Sequence, residues 1–562
     1  MGRTRWATGT DIGSTDGRKV LSPVRRVRDA LNALARRRAY LVVLTGLASL
    51  VLSAMLTARD GVREPQVHDE LSYLLAADTF AHGRLTNPTP RGHEHFETFH
   101  VIVEPTYQSK YPPGQGMFLA LGWRLTGMWV AGAWIGVAVG CAATAWMLMA
   151  FVPARWAMLG AAITVLHPMV LRWGQNYWGG GVAMAAGALA IGATGRLCRA
   201  PGPWNGRPIH WSLLGVGIIG LGNTRPFEGG LLTIVLITVL VRAMWQRQAT
   251  ARQAVAVRWR TLGLRSLPLW GVLMAGAAFM AYYNYRVTGD PLRLPYVEHD
   301  AQYAVTTPFL WLEPHPEPTY RHAAIREWAV GYQYDLYLRQ QTLAGFLTEA
   351  RAKAVELLRL IIPPVMLPLA IVIGLIPGRR WRRGRVLAAV ACAVVGVGLL
   401  SEIVVWPHYA APVLPLFVLL GVLGVGRTST WLERRLGRRG LAAWAPAVLV
   451  VAVLATSCGT AINVVTSDAW RYRDGPAYRR AEMVAALEAE PGDDLVFVRY
   501  GASRNLDNEW VYNAADLGAA PVIWARDMSA ARNAQLMEWY PGRRAWIVDI
   551  DAASVRIEEV FR

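Results

Sequence analysis

The sequence predicts a polytopic α-helical membrane protein of about eleven transmembrane helices with a small C-terminal α/β domain. Three observations predict it. The 562 residues are 53% hydrophobic and only 17% charged, which excludes a disordered or fibrous chain. Stretches such as Tyr40 to Ala58, Val386 to Trp406 and Leu441 to Val465 stay apolar for roughly 20 residues, enough to cross a hydrocarbon core of about 30 Å. The net charge of +19 is gathered in short segments beside those runs: Arg25 to Arg38, Arg242 to Arg265, Arg379 to Arg385 and Arg427 to Arg439. That is the positive-inside pattern, so the charge reports topology and gives no support to a nucleic-acid partner.

Threading the apolar runs with every basic segment in the cytoplasm gives spans near 40–58, 129–151, 154–171, 177–196, 210–224, 226–244, 267–287, 356–376, 386–406, 408–426 and 441–465. The basic segment 1–39 leads into the first span without a small-residue cleavage site, so that span is expected to stay as an anchor. The odd number of spans puts residues 466–562 outside, together with external loops at 59–113 and 288–349. The apolar run Gly114 to Trp123 is too short to cross and reads as a half-helix entering the external face. In the tail, Ala481 to Glu490 has helical spacing, while DLVFVRY (Asp494 to Tyr500), PVIWA (Pro521 to Ala525) and AWIVDI (Ala545 to Ile550) read as strands of a largely parallel sheet. The four cysteines fall in or at the ends of apolar runs and offer neither a disulfide framework nor a CxxC metal site.

The first external loop carries the densest chemistry. Asp69 and Glu70 follow the first span, and apolar positions 71, 74, 75 and 80 give a helix expected to lie along the membrane surface. A carboxylate there can serve as general base on an acceptor hydroxyl or amine while a lipid-linked phosphate leaves; equally, two acids at a helix start complement its dipole. His93, His95 and His100, with Glu94, Glu97 and Glu104, put candidate ligands for a divalent metal in the same loop; a solvated histidine-rich loop has the same composition.

The loop-ending Lys110-Tyr111-Pro112-Pro113, the acidic pair after the first span and the pattern YLxxAxxxxxGxL from Tyr73 to Leu85 resemble the GT-C superfamily, membrane glycosyltransferases that use polyprenyl-phosphate sugars. The branch with protein O-mannosyltransferases and aminoarabinose transferases is the most similar in pattern. The likeness is strongest over residues 60–180 and continues by layout alone beyond them. It implies that Asp69 is the catalytic base, with Glu70 as neighbour or substitute, and that Lys110 faces the donor phosphate. It also implies an inverting transfer at the periplasmic face of a bacterial inner membrane, from a polyprenyl-phosphate sugar to a glycan, lipid or protein acceptor. The sequence departs from the superfamily in its next external turn, RWGQNYWGGG (Arg172 to Gly181), which lacks the second acid many members place there.

Three further groups complete the candidates. Asn176 and Tyr177, with Trp178, suit a hydroxyl-rich ligand, and Tyr73 stands beside the acidic pair. Arg225 and Glu228 in NTRPFEGG are ionisable residues in an apolar setting, where they either pair with each other or bind donor phosphate and substrate. His408, in WPHY after Glu402, is a further phosphate candidate or a structural hydrogen-bonder. The aromatic second loop, with Tyr296 to Asp300 and Trp311 to His315, suits acceptor or sugar binding. A secondary transporter or flippase for a lipid-linked or anionic substrate is the alternative: it explains Arg225 and Glu228 but leaves the acidic loop and the tail unused. A membrane scaffold without catalysis is a third reading.

Overall fold

Helices that must satisfy every backbone group within hydrocarbon dominate the architecture. The computed structural model describes residues 37–199, 207–250, 255–362, 366–378, 381–436, 444–472, 475–501, 505–507, 509–551 and 555–560. Of the basic N-terminal segment expected at 1–39, residues 1–36 lie outside these.

The chain begins with α1 (Arg38–Asp60), turns, and enters α2 (His68–Ala81). After a loop with three short strands, β1 (Asn87–Pro88), β2 (Val101–Ile102) and β3 (Thr106–Ser109), comes the half-helix α3 (Pro113–Thr126). The membrane series continues with α4 (Trp129–Leu148), α5 (Ala154–Val165), α6 (Pro168–Trp173), α7 (Gly180–Leu197), α8 (Pro208–Gly222), α9 (Pro226–Thr250) and α10 (Val255–Thr288). The second loop holds α11 (Pro295–Tyr303) and a run of short turns; α12 (Leu343–Ile361), α13 (Met366–Leu375), α14 (Arg382–Leu400), α15 (Leu414–Arg435) and α16 (Ala445–Thr466) close the membrane part.

Among the described residues eight helices are long and apolar enough to cross a membrane, against the eleven spans expected. The other three expected spans are short or interrupted. α5 and α8 are apolar but shorter, and α5 stops just before Pro168 opens α6. The run expected at 356–376 is shared between α12 and α13, with Pro363 and Pro364 of the sequence between them and no N–H to offer a continuous helix.

α3 is the expected half-helix. Pro113 occupies its first turn, and Gly127, left-handed at φ 75°, ends it by donating its N–H to the Trp123 carbonyl. It lies hard against α4: a Cβ on Gly122 would come within 1.9 Å of the Gly132 nitrogen.

α2 departs from expectation. The sequence predicts an amphipathic helix on the membrane surface, yet His68, Glu70, Ser72, Tyr73, Leu75, Ala76, Ala77, Thr79 and Ala81 are all buried. The reason is that it is covered on two sides, by α3 and by the tail. Leu75 shares one apolar core with Phe96, Val101, Val103 and Tyr107 of the first loop and with Leu495, Phe497 and Ile523 of the tail.

The tail contains α17 (Pro476–Glu488), β4 (Asp494–Tyr500), β5 (Val522–Arg526), α18 (Ala530–Trp539), β6 (Arg544–Ile550) and β7 (Val555–Glu559). The sheet order is β5-β4-β6-β7, parallel across its first three strands as the sequence predicts; β7 adds an antiparallel edge that it does not. Polar bonds seal the seam with the first loop. Arg526 Nε donates to the Glu97 carbonyl at 2.6 Å, Tyr512 hydroxyl to the Phe99 carbonyl at 2.7 Å, and Ala515 N–H to the Asp78 carboxylate at 2.7 Å.

Candidate active site

Three segments converge above α3. The first is the start of α2. The second is the β2–β3 hairpin, in which Val101 faces Ser109 and so brings His100 opposite Lys110. The third is the stretch from Glu402 to Tyr409, which the second loop pins in place: Leu310 N–H donates to the Ser401 carbonyl at 3.0 Å and Ile403 N–H to the Pro308 carbonyl at 2.8 Å. Together they enclose a cavity of about 180 Å³.

Asp69 lines this cavity with 29% of its side chain exposed. Its carboxylate accepts a hydrogen bond from the Tyr111 hydroxyl, and its Oδ2 lies 3.1 Å from His68 Nδ1 and 3.7 Å from His100 Nε2. Burial alone pushes this carboxyl up, but His100, His68 and the Tyr111 hydroxyl outweigh it and hold Asp69 well below the usual carboxylate range. It is therefore ionised and able to accept a proton. His100 has a left-handed backbone (φ 62°), a costly conformation for a side-chain-bearing residue. Its carbonyl explains the posture, accepting from Ser72 Oγ at 2.7 Å and from Lys110 N–H at 3.1 Å. Burial, reinforced by Lys110, keeps the His100 imidazole well below its ordinary pKa.

Lys110 lines the same cavity, its Nζ 5.8 Å from the ring centres of both Tyr111 and Tyr296. Burial lowers its pKa, while Asp300 and Asp69 act to keep it charged.

Glu70 points the other way. It is 3% exposed, and its carboxylate accepts from Tyr177 N–H at 2.9 Å and Gln66 N–H at 2.7 Å. Burial pushes it up to about 7 against those two bonds. It ties α2 to the 175–178 turn and does not line the cavity. Tyr177 and Tyr73 share this layer behind the wall: Tyr177 hydroxyl donates to the Arg63 carbonyl at 3.1 Å, and Tyr73 stacks on Tyr111 at 4.5 Å. Asn176 is half-buried and likewise off the cavity wall; Trp178 of the same turn does line it.

Arg225 and Glu228 are buried but form no ion pair with each other among the described residues. The Arg225 guanidinium packs over the Tyr409 ring at 4.2 Å and interacts electrostatically with Tyr73, Glu228 and Tyr296. Gly114 brings this cluster to the Lys110 segment: its N–H donates to the Asn223 carbonyl at 2.9 Å, and a Cβ would come within 2.5 Å of that oxygen. His408 lines the cavity, 5% exposed, with its ring 4.9 Å from Trp178.

Of the histidines expected to bind metal, His93 and His95 do not converge with His100. His95 Nδ1 is 2.9 Å from the Arg526 carbonyl in the seam with the tail, and His93 Nε2 is 2.9 Å from Glu104 at the rim. A different trio does: ligand atoms of His68, Asp69 and His100 lie within 4.8 Å of one another. His100 Nδ1 has no hydrogen-bond partner among the described residues, and the His68 nitrogens approach only carboxylates, Asp69 at 3.1 Å and Asp507 at 3.7 Å, so two imidazoles and a carboxylate are placed to hold a divalent ion. His100 was among the candidate ligands of the first loop, whereas His68 is a cavity residue that sequence reading passed over. His68 was visible only as the neighbour of Asp69, and His100 depended on a hairpin register that spacing does not reveal. His299, Asp300 and Trp328, also in the wall, come from the second loop.

No family model and no curated protein sequence matches the chain. Among solved structures it is similar to ArnT from Cupriavidus metallidurans bound to undecaprenyl phosphate, with a TM-score of 0.51 and 14% identity over 90% of this chain and 92% of that one. The chain shares the fold of that ArnT. The apo form of the same ArnT gives a TM-score of 0.48 at 13% identity over 90% and 92%. The Archaeoglobus fulgidus oligosaccharyltransferase in complex with Zn and sulfate gives 0.48 at 11% identity, covering 91% of this chain and 67% of that one. Within this fold, the half-helix α3 and the long first loop hold the cavity described above.

Proposed function

We propose that this chain is a glycosyltransferase that moves a sugar from a polyprenyl-phosphate donor to an acceptor at the periplasmic face of a bacterial inner membrane. The observation that carries the reading is that Asp69, ionised and aimed at open space, shares one cavity wall with Lys110. An acid that takes a proton and a cation that meets a departing phosphate are the two groups glycosyl transfer from a lipid phosphate requires. The fold supports it, since the similar ArnT was solved with undecaprenyl phosphate.

In this mechanism Asp69 removes the proton from an acceptor hydroxyl or amine as that oxygen or nitrogen bonds to the anomeric carbon. The bond from the anomeric carbon to the phosphate oxygen breaks, and the electron pair leaves with the polyprenyl phosphate. In-line attack inverts the anomeric centre. Lys110, with Arg225 behind it, receives the growing phosphate charge in a recess where water screens it little. Tyr111 and His68 hold the Asp69 carboxylate in place. A divalent ion, when bound, would supply further neutralisation of phosphate charge, and His68, Asp69 and His100 are the residues that would hold it. The external position of residues 59–113, 288–349 and 466–562 belongs to the same reading.

The test is transfer by the full chain in nanodiscs from labelled polyprenyl-phosphate sugars to an envelope extract. Loss of transfer in a folded Asp69→Asn protein that still binds undecaprenyl phosphate supports the assignment, and undiminished transfer removes it. Lipid movement across the bilayer without transfer would favour a flippase.

A further inference from the structure

Glu402 is held by its backbone and left free at its side chain. Lys353 Nζ donates to the Glu402 carbonyl at 2.6 Å and also to Gln340, Gln340 Nε2 donates to the Ile403 carbonyl at 3.2 Å, and Phe309 bridges to Glu402 in antiparallel fashion. The segment is thus fixed, yet the carboxyl oxygen Oε1 has no hydrogen-bond partner although the residue is only 7% exposed. The charged groups around it are Glu228, Arg225 and Lys353, and none of them bonds to it among the described residues. A buried carboxyl without a donor is costly. This one lines the same cavity as Asp69 and Lys110, so a ligand in that cavity can supply the missing hydrogen.

Its neighbours narrow the ligand's chemistry. His408 has an unpartnered Nδ1, 5% exposure and a ring 4.9 Å from Trp178; the Trp406 ring is 6.1 Å from Trp178 on another side. Aromatic faces beside hydrogen-bonding groups suit a molecule with C–H surfaces and polar hydrogens on one ring, which describes a sugar. Asn176 and Tyr177, the residues the sequence offered for this task, stand behind the wall.

We propose that Glu402, with His408 and Trp178, forms the subsite that grips the sugar of the donor, and that the Glu402 carboxyl receives a hydroxyl or amine hydrogen of that sugar and so sets which sugar is used. The assignment rests on the glycosyltransferase reading and moves His408 from phosphate to sugar.

The experiment measures equilibrium binding to the full chain in nanodiscs of farnesyl phosphate and of farnesyl-phosphate-linked glucose, mannose and glucosamine. In the wild type at least one glycosyl donor binds more tightly than farnesyl phosphate. In Glu402→Ala that advantage falls about tenfold, the size of one hydrogen bond, while farnesyl phosphate binding stays within about twofold. Unchanged farnesyl phosphate binding also shows that the variant is folded. Glu402→Gln separates the two hydrogen sources: its amide oxygen keeps the advantage for a hydroxyl and loses it for an ammonium. An advantage intact in Glu402→Ala overturns the proposal. So does an equal loss for farnesyl phosphate and its glycosides, which would make Glu402 a support of the phosphate site, and so does a wild type that gains nothing from any sugar. A wild type that binds no farnesyl phosphate would instead sink the transferase reading, and this subsite with it.

Discussion

Asp69 and Glu70 are consecutive residues of one helix, and a turn of about 100° between them separates two kinds of environment. On the Asp69 face, carboxylate, imidazoles and Lys110 border open space, and His68 and His100 carry ring nitrogens without partners. On the Glu70 face, both carboxylate oxygens are engaged by backbone N–H groups and the space is filled by Tyr177. Unsatisfied polar atoms beside a void mark a place for a ligand, whereas satisfied ones inside packing mark a joint. The same contrast separates His100 from His95, whose Nδ1 is engaged by the Arg526 carbonyl.

The sharpest way to break this contrast is to neutralise each acid. Asp69→Asn should lower transfer about 1,000-fold, within the range for loss of a general base, with a melting temperature close to that of the wild type. Glu70→Ala should do the reverse. The buried Tyr177 N–H loses its acceptor, a cost of about 1–3 kcal/mol, and the more exposed Gln66 N–H loses another, so thermal melting should shift downward while the folded fraction keeps its transfer rate within a few-fold. Equal activity losses in the two variants would erase the distinction between the faces.

Lys110→Ala should weaken undecaprenyl phosphate binding about tenfold, as expected for one charge-assisted contact. Gly114→Ala should produce part of the same loss without touching the lysine, because its Cβ would meet the Asn223 carbonyl at 2.5 Å and part the Lys110 segment from Arg225. Titration with the lipid phosphate reads both; an unaffected Gly114→Ala would mean the two cations act independently.

How much of this was legible in the sequence follows from the range of the forces involved. The long apolar spans, the half-helix and the three tail strands are written in local composition, and they appear where expected. α2 was legible as a helix, but its burial was not. The chain that covers Leu75 arrives more than 400 residues later, as Leu495, Phe497 and Ile523. Asp69 and Lys110 were legible through a resemblance of motif. His100 was legible as a candidate ligand but its approach to His68 and Asp69 was not, because its place depends on a left-handed backbone and a hairpin register that spacing does not encode. Glu402 stood in view beside WPHY; only its lack of a partner, a property of the packed molecule, singles it out.

The smallest effects test the histidines. His100→Asn keeps a residue that tolerates the left-handed backbone and removes one imidazole from the trio with His68 and Asp69. Retention of Mn²⁺ or Zn²⁺ after dialysis, measured by elemental analysis, should fall in that variant, and a chelator should mimic it in the wild type. His93→Ala should leave metal content unchanged and transfer within about twofold, because an exposed imidazole–carboxylate contact such as its 2.9 Å approach to Glu104 is of the rim type that contributes about 0–1 kcal/mol. Metal lost with His93 and kept without His100 would move the ion to the rim and leave Asp69 free of it, making the base role independent of any metal.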